Sequence, residues 1–342
     1  MQASSAFIGV LKWVAAQVIV AHHLAAYGPL AQKGHAAMPQ LFGWLTGCGA
    51  WTVSVFLVVS GFLTAQALDG KTIDLYLVRH ALIRRYWRLA PVYAVGLGLS
   101  VAMAVFFYPW VSPDMLPQQL DASILLGNLF FLQDILGLEA LSAGLWYMAI
   151  DLQLFALFIG LASLSHWAFC NGLRVPKEAI WAGVGMLSLS YFNLRSEWNV
   201  WAIYFAGTYA LGALAYSAGD LSKYRWVVGG LYLFGALMCA WFEPRPRLFV
   251  AMVTAVVLLG TQLISIDASF WTRLARKMGD SSYALFLSHF SVLMLMSCIY
   301  PVAEAWDIPF VGWLGATLLV CNAVGWLIWR YIDVPLQRKC QM

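Results

Sequence analysis

The chain has 342 residues, of which 62% are hydrophobic and 11% are charged, and its formal net charge is +4. A soluble protein averages about 25% charged residues, and it needs polar groups to cover its surface. The composition therefore excludes a soluble globular protein. No Lys/Arg-rich tract with interleaved aromatics lies outside the apolar segments, so we expect no nucleic-acid partner. The six cysteines are scattered without a CxxC pair, so we expect no metal site.

Apolar segments recur along the whole chain. A spanning helix needs about 20 mostly apolar residues, and the pattern predicts an all-α, polytopic membrane protein with about ten transmembrane helices. The apolar stretch 119–137 contains acidic residues, so we expect it to be re-entrant or to lie on the membrane surface. No linker separates a second domain, so we expect one membrane domain over residues 1–342 with no appended soluble domain. The predicted spans are 7–27, 44–68, 89–108, 144–165, 178–193, 199–217, 225–242, 248–266, 281–300 and 311–331.

Lys and Arg residues are unevenly distributed among the loops between these spans. Fifteen of the 20 Lys and Arg residues fall in the C-terminal tail and in the loops after the second, fourth, sixth and eighth spans, when Arg225 and Arg330 at the span ends are counted with them, against four in the other loops. Short cytoplasmic loops are enriched in Lys and Arg. We therefore predict that both termini are cytoplasmic.

Two charged or titratable residues inside the first span are candidates for function, because burying such groups in a membrane is costly. Lys12 and His23 are eleven residues apart, which places them on nearly one helix face about 16 Å apart along its axis. A histidine at that depth can act as a general base on a hydroxyl. The alternative is that His22 and His23 only mark the membrane interface.

A basic run precedes Pro91. Arg84 and Arg88 are four residues apart and share a helix face, and a pair of arginines in this arrangement binds phosphates well. Arg79 and Arg85 extend the run. The alternative is that these arginines only anchor the protein at the cytoplasmic membrane surface.

Two further polar residues fall inside predicted spans. Asp151 needs a partner within the membrane, and a histidine or an arginine would serve; it is either a functional carboxylate or half of a structural ion pair. His289 either lines a cavity or forms a structural hydrogen bond to a neighbouring helix.

Several short motifs, in this order, make the chain resemble the acyltransferase 3 family of integral membrane acyltransferases. Each motif is weak alone, but together they extend from residue 12 to residue 338. The chain departs from the usual residues at Lys12 (Arg), Asp151 (Glu) and Asp333 (Glu), and all three keep the sign of charge. The matching segments are Lys12 to His23, Val55 to Phe62, Arg84 to Tyr93, Asn128 to Leu132, Leu145 to Asp151, Ser282 to His289 and Asp333 to Arg338.

The resemblance implies transfer of an acyl group from cytoplasmic acyl-CoA, which we expect to be acetyl-CoA, to a hydroxyl of a cell-surface or exported glycan. It implies a location in the inner or plasma membrane and partners among glycan biosynthesis and export proteins. His23 is the expected base or acyl acceptor, with Asp151 orienting its imidazole. The expected CoA-binding residues are Lys12, Arg84, Arg85 and Arg88. Ser60, Tyr283 and His289 are expected to line the cavity or stabilise the oxyanion.

Two other functions compete with this hypothesis. Ten spans with buried charges would also suit a transporter or flippase for a glycan or a lipid-linked intermediate, although no internal repeat is evident. A non-catalytic subunit of a glycan-export complex is the third hypothesis. Thioester consumption that depends on the protein and on an acceptor separates the enzyme from both.

Overall fold

The computed structural model describes residues 2–220, 222–264 and 269–340. Within these ranges every regular element is helical, which confirms the predicted all-α fold. Short 3₁₀ turns and one π-helical segment, Trp329–Asp333, connect or extend the α-helices. In chain order the α-helices are α1 (Gln2–Ala26), α2 (Gly28–Ala37), α3 (Pro39–Cys48), α4 (Val53–Leu68), α5 (Leu75–Phe106), α6 (Ala122–Leu129), α7 (Trp146–Cys170), α8 (Lys177–Ser190), α9 (Ala202–Ala218), α10 (Lys223–Phe242), α11 (Pro246–Gln262), α12 (Phe270–Ala305), α13 (Phe310–Ile328) and α14 (Val334–Cys340).

Seven stretches among the described residues are long and apolar enough to cross a membrane. The polytopic class is confirmed, but the predicted count of about ten spans is not. Each of the ten predicted spans overlaps a helix, although residues 265 and 266 of the span 248–266 lie outside the described residues. Helix α8 has only 14 residues, and α9 and α11 have 17 each. Seventeen residues rise about 25 Å, less than the hydrocarbon core of about 30 Å. The seven stretches are Ser5–Ala26, Pro39–Leu68, Leu75–Phe106, Trp146–Cys170, Lys223–Phe242, Phe270–Ala305 and Phe310–Arg338.

Local sequence explains where several helices begin and end. Side chains cap the free amides at the start of α5 and α6, where Asp74 accepts from Leu77 N at 2.7 Å and Asp121 accepts from Ile124 N at 2.9 Å. Helix α1 ends at Ala26, and Gly28 follows with a φ of +74°, a conformation that favours glycine. The turn at Gly28 leaves His23 in the last turn of α1.

The chain forms two compact units, each made of three separate segments. The first comprises Met1–Lys12, Trp51–Tyr86 and Ile150–Arg276. Helix α9 is its centre, because it packs against α4, α8, α10 and α11 and buries most of its residues. The backbones of α4 and α9 approach each other closely at Gly61 and Gly212: a Cβ on Gly61 would clash with Tyr209 O, and one on Gly212 with Val58 O. Small residues permit such close helix packing in membranes.

The second unit comprises Trp13–Ala50, Trp87–Ala149 and Lys277–Met342. Three consecutive residues of α12, Leu285 to Leu287, each lie against a glycine from another part of the unit. A Cβ on Gly325 would lie 2.7 Å from Leu285 Cα, one on Gly144 2.9 Å from Phe286 O, and one on Gly96 2.6 Å from Leu287 O. This part of α12 is therefore held by α5, by α13 and by the segment before α7.

We expect Gly212→Ala to lower the free energy of unfolding by about 1–3 kcal/mol, because the added methyl group must push α4 and α9 apart. Reversible unfolding by SDS in mixed micelles would measure the loss. Gly160→Ala in α7 is the matched control: it lies in the same unit and has open space where the Cβ would go, so it should leave stability unchanged or raise it by up to about 1 kcal/mol. Equal losses in the two variants would show that close helix approach is not the cause.

Candidate active site

The centre of the candidate site is a pair of buried histidines in the second unit. Nδ1 of His23, in the last turn of α1, lies 2.7 Å from Nε2 of His289 in α12. The two rings are nearly parallel, with centroids 5.0 Å apart. The two histidines are 266 residues apart in the sequence, and the spacing of their motifs did not predict the contact. The structure therefore joins two site residues that the sequence placed separately.

The hydrogen bonds of His289 fix the tautomers of both rings. Nδ1 of His289 lies 2.7 Å from the carbonyl oxygen of Phe286, which can only accept, so this nitrogen carries the hydrogen. In the neutral ring, Nε2 of His289 is then an acceptor, and Nδ1 of His23 must donate to it. The remaining nitrogen, Nε2 of His23, keeps its lone pair. That is the form that a general base or a nucleophile requires.

The surroundings hold the pair in place. Gly144 lies against both Phe286 O and the His289 ring, where a Cβ would come within 3.5 Å of Cε1. The ring of Phe290 meets His23 edge-on at a centroid distance of 5.9 Å, and Tyr27 stacks obliquely at 5.8 Å. His22 has a different environment, since it is half-buried and its Nδ1 donates to Leu45 O at 2.9 Å. The two adjacent histidines are therefore not equivalent, and His23 is the one in the buried network.

Asp151 has an arginine as its partner. Its Oδ2 accepts from Arg85 at 2.6 Å in the first unit, where the guanidinium also lies over the ring of Phe155, 4.4 Å from its centroid. Asp151 Oδ1 is buried and has no hydrogen-bond partner among the described residues. One buried acceptor is thus available for a donor that these residues do not supply. In the structure His289, and not Asp151, is the group at Nδ1 of His23; a role for Asp151 in catalysis stays a prediction.

The arginines before Pro91 differ in how exposed their side chains are. Arg84 and Arg88 are exposed on α5, whereas Arg85 is partly buried and paired with Asp151. The three residues were expected to bind phosphate together, and the two exposed ones are the ones whose guanidinium groups solvent or a ligand can reach. Lys12 is half-buried on α1, eleven residues before His23.

The two expected oxyanion donors lie in different units. Ser60 is half-buried on α4, next to Gly61. The hydroxyl of Tyr283 donates to the carbonyl oxygen of Leu89 in α5 at 2.9 Å, which ties α12 to the helix that carries the arginine run. This bond engages the hydroxyl hydrogen that an oxyanion would need.

Comparison with known proteins supports one family. Residues 5–330 match the family described as "Acyltransferase domain", the acyltransferase 3 family. The peptidoglycan O-acetyltransferase OatA of Listeria monocytogenes is 21% identical over 347 aligned residues, which cover 87% of this chain and 53% of that protein. The chain thus spans about half the length of this curated relative. No solved structure gives a significant match.

We expect ¹⁵N-histidine solid-state NMR of the protein in lipid to show Nδ1 protonated and Nε2 unprotonated in both His23 and His289. In His289→Ala the acceptor at Nδ1 is lost, so His23 should populate both tautomers. His22→Gln is the control and should leave the His23 resonances in place. A protonated Nε2 on His23 in the wild type would contradict the assignment.

We expect Arg85→Gln and Asp151→Asn each to cost about 2–3 kcal/mol of stability, because each leaves one charge of a buried pair without its partner. The double variant should cost less than the sum of the two. A double-mutant cycle, measured by SDS unfolding, gives this coupling. Arg88→Gln, an exposed arginine three residues along α5, should cost little. Additive losses would mean that the ion pair contributes nothing to folding.

Proposed function

Because the chain belongs to the acyltransferase 3 family, we propose that it transfers an acetyl group from acetyl-CoA to a hydroxyl of a cell-surface or exported glycan. The observation that carries this proposal is the chain of hydrogen bonds from Nδ1 of His23 through His289 to Phe286 O, which leaves Nε2 of His23 with a lone pair when both rings are neutral. A membrane acyltransferase needs a base that can remove a hydroxyl proton near neutral pH, and an imidazole nitrogen is the usual choice.

The proposed reaction uses this nitrogen directly. Nε2 of His23 takes the proton of the acceptor hydroxyl while the hydroxyl oxygen bonds to the thioester carbonyl carbon. The tetrahedral intermediate then breaks its C–S bond, and the CoA sulfur leaves with the proton from Nε2. His289 is a positioning residue: it accepts from Nδ1 throughout and stabilises the imidazolium, as the carboxylate does in a Ser-His-Asp triad. In the alternative route Nε2 attacks the thioester carbonyl carbon and the C–S bond breaks, so that CoA thiolate leaves and an acyl-imidazolium forms. The acceptor hydroxyl then attacks the acyl carbon, the C–Nε2 bond breaks, and the hydroxyl proton neutralises the thiolate.

The donor is proposed to arrive from the cytoplasm. The predicted topology places the arginine run of α5 on that side, and the exposed guanidinium groups of Arg84 and Arg88 are suited to the phosphates of CoA. Lys12 is a further candidate on the same side. Arg85 is a weaker candidate, since Asp151 already neutralises it.

The acceptor is proposed to be a glycan. The support is the similarity to a protein named as a peptidoglycan O-acetyltransferase, together with the position of His23 near the end of α1 that the predicted topology places away from the cytoplasm. The proposal includes a location in the inner or plasma membrane beside glycan biosynthesis or export proteins, with both termini cytoplasmic as the distribution of Lys and Arg predicts.

The test is acetyl transfer by purified protein in liposomes, with radiolabelled acetyl-CoA and a peptidoglycan fragment as a trial acceptor. His23→Ala should lower label transfer by about 10²- to 10⁴-fold, the usual contribution of a general base. His22→Ala is the matched control on the same helix and should keep wild-type turnover. If His23→Ala transfers label as fast as the wild type, His23 is not the base.

A further inference from the structure

A cavity of about 330 Å³ lies in the first unit, and the functional proposal does not use it. Its walls come from the C-terminal part of α7, from the connection between α7 and α8 with the first residue of α8, and from the connection between α4 and α5. Three cations line it, Lys71, Arg174 and Lys177, together with apolar residues that include Phe169 and Pro176. The volume falls within the range of about 300–1,000 Å³ that small-molecule sites occupy.

The positive charge of this cavity is not neutralised by neighbouring carboxylates. The residues that line it include no Asp or Glu, and no described residue forms an ion pair with the three cations. Among the acidic residues of this unit, Asp69, Glu178 and Asp220 lie 3.8, 3.6 and 2.8 Å from Arg225, and Asp74 accepts from Leu77 N at the start of α5. The residues that line the cavity therefore carry an excess of positive charge.

The structure positions part of this charge. The ammonium group of Lys177 donates to Leu68 O at 3.3 Å and lies 5.7 Å from the centroid of the Trp181 ring, so one of its three hydrogens is used and others can reach a ligand. Lys177 and Pro176 also form the start of α8, where no side chain caps the free amides. The positive end of the helix dipole therefore lies at the same wall and adds to the attraction for an anion.

We infer that this cavity is a binding site for a phosphate group carried by a partly apolar ligand. Two lysines and an arginine suit phosphate oxygens, and the exposed ring of Phe169 can stack on a base or cover an acyl chain. Two sources have this chemistry: the 3′-phosphorylated adenosine end of CoA, which rests on the proposed function, and the headgroup of an anionic lipid.

The experiment compares three proteins. The cavity variant combines Lys71→Gln, Arg174→Gln and Lys177→Gln. The control variant combines Lys223→Gln, Arg273→Gln and Lys277→Gln, which removes the same charge from exposed positions of the chain outside the cavity. Binding of CoA is titrated in phosphatidylcholine nanodiscs, with dephospho-CoA as the comparison. Retention of phosphatidylglycerol is measured by native mass spectrometry.

If the source is CoA, the cavity variant should bind CoA at least about tenfold more weakly than the wild type, and the control variant should not. Dephospho-CoA should then bind the wild type more weakly than CoA does. If the source is a lipid, only the cavity variant should lose phosphatidylglycerol, with CoA binding unchanged in all three proteins. The inference is overturned if neither ligand distinguishes the cavity variant from the control.

The inference and the proposed function can fail separately. If the wild-type protein retains phosphatidylglycerol through the cavity but does not bind CoA, the proposed acyl-CoA donor is refuted and the phosphate site stands. If the wild-type protein transfers acetyl groups, and all three proteins bind CoA and retain phosphatidylglycerol equally well, the proposed function stands and the phosphate site in the cavity is refuted.

Discussion

The constraint behind this structure is that a chain with few charges, lying in a bilayer, must satisfy its buried polar groups from within the protein. It does so with pairs that join distant parts of the sequence. Gln17 and Asn322 exchange two hydrogen bonds, at 2.8 and 3.0 Å, between α1 and α13. The hydroxyls of Ser100 and Ser291 meet at 2.9 Å between α5 and α12. Each pair fixes the rotation of two helices, and the histidine pair belongs to the same set of contacts. The position of the His23 ring therefore follows from the same kind of interhelical hydrogen bond that fixes the other helices.

The composition and hydropathy predicted the fold class because membrane insertion depends on them directly. They could not give the number of full spans, because α8, α9 and α11 are apolar and helical yet end before they reach the length of the hydrocarbon core. Hydropathy shows that a segment is apolar but not whether lipid or other helices surround it. Helix α9 is an example, because most of its residues are buried against other helices. Whether an apolar helix can span the membrane also depends on its length, which the turns and caps at its ends determine.

For the site, the sequence identified the residues but not their pairing. His23 and His289 were both noticed as polar residues in apolar segments, and Asp151 was given the place beside His23 by analogy with a triad. Contacts between residues far apart in sequence depend on helix rotation, which no local pattern encodes. The signal that could have linked Arg85 to Asp151 is charge alone, since a buried carboxylate needs a cation and Arg85 is the arginine of its run that turns inward. The basic cavity was missed because Lys71, Arg174 and Lys177 come from two loops about a hundred residues apart in sequence, and no local pattern predicts that these loops meet.

The contacts of α12 have a consequence for how the site can work. Successive helical residues point about 100° apart, so the glycines that meet Leu285, Phe286 and Leu287 approach this helix from three directions. A helix held on three sides cannot turn about its own axis without losing at least one of these contacts. The orientation of His289 is then fixed, and its hydrogen bond to His23 fixes the orientation of the His23 ring as well. In the proposed reaction, therefore, His23 would stay in place and the two substrates would have to move to it.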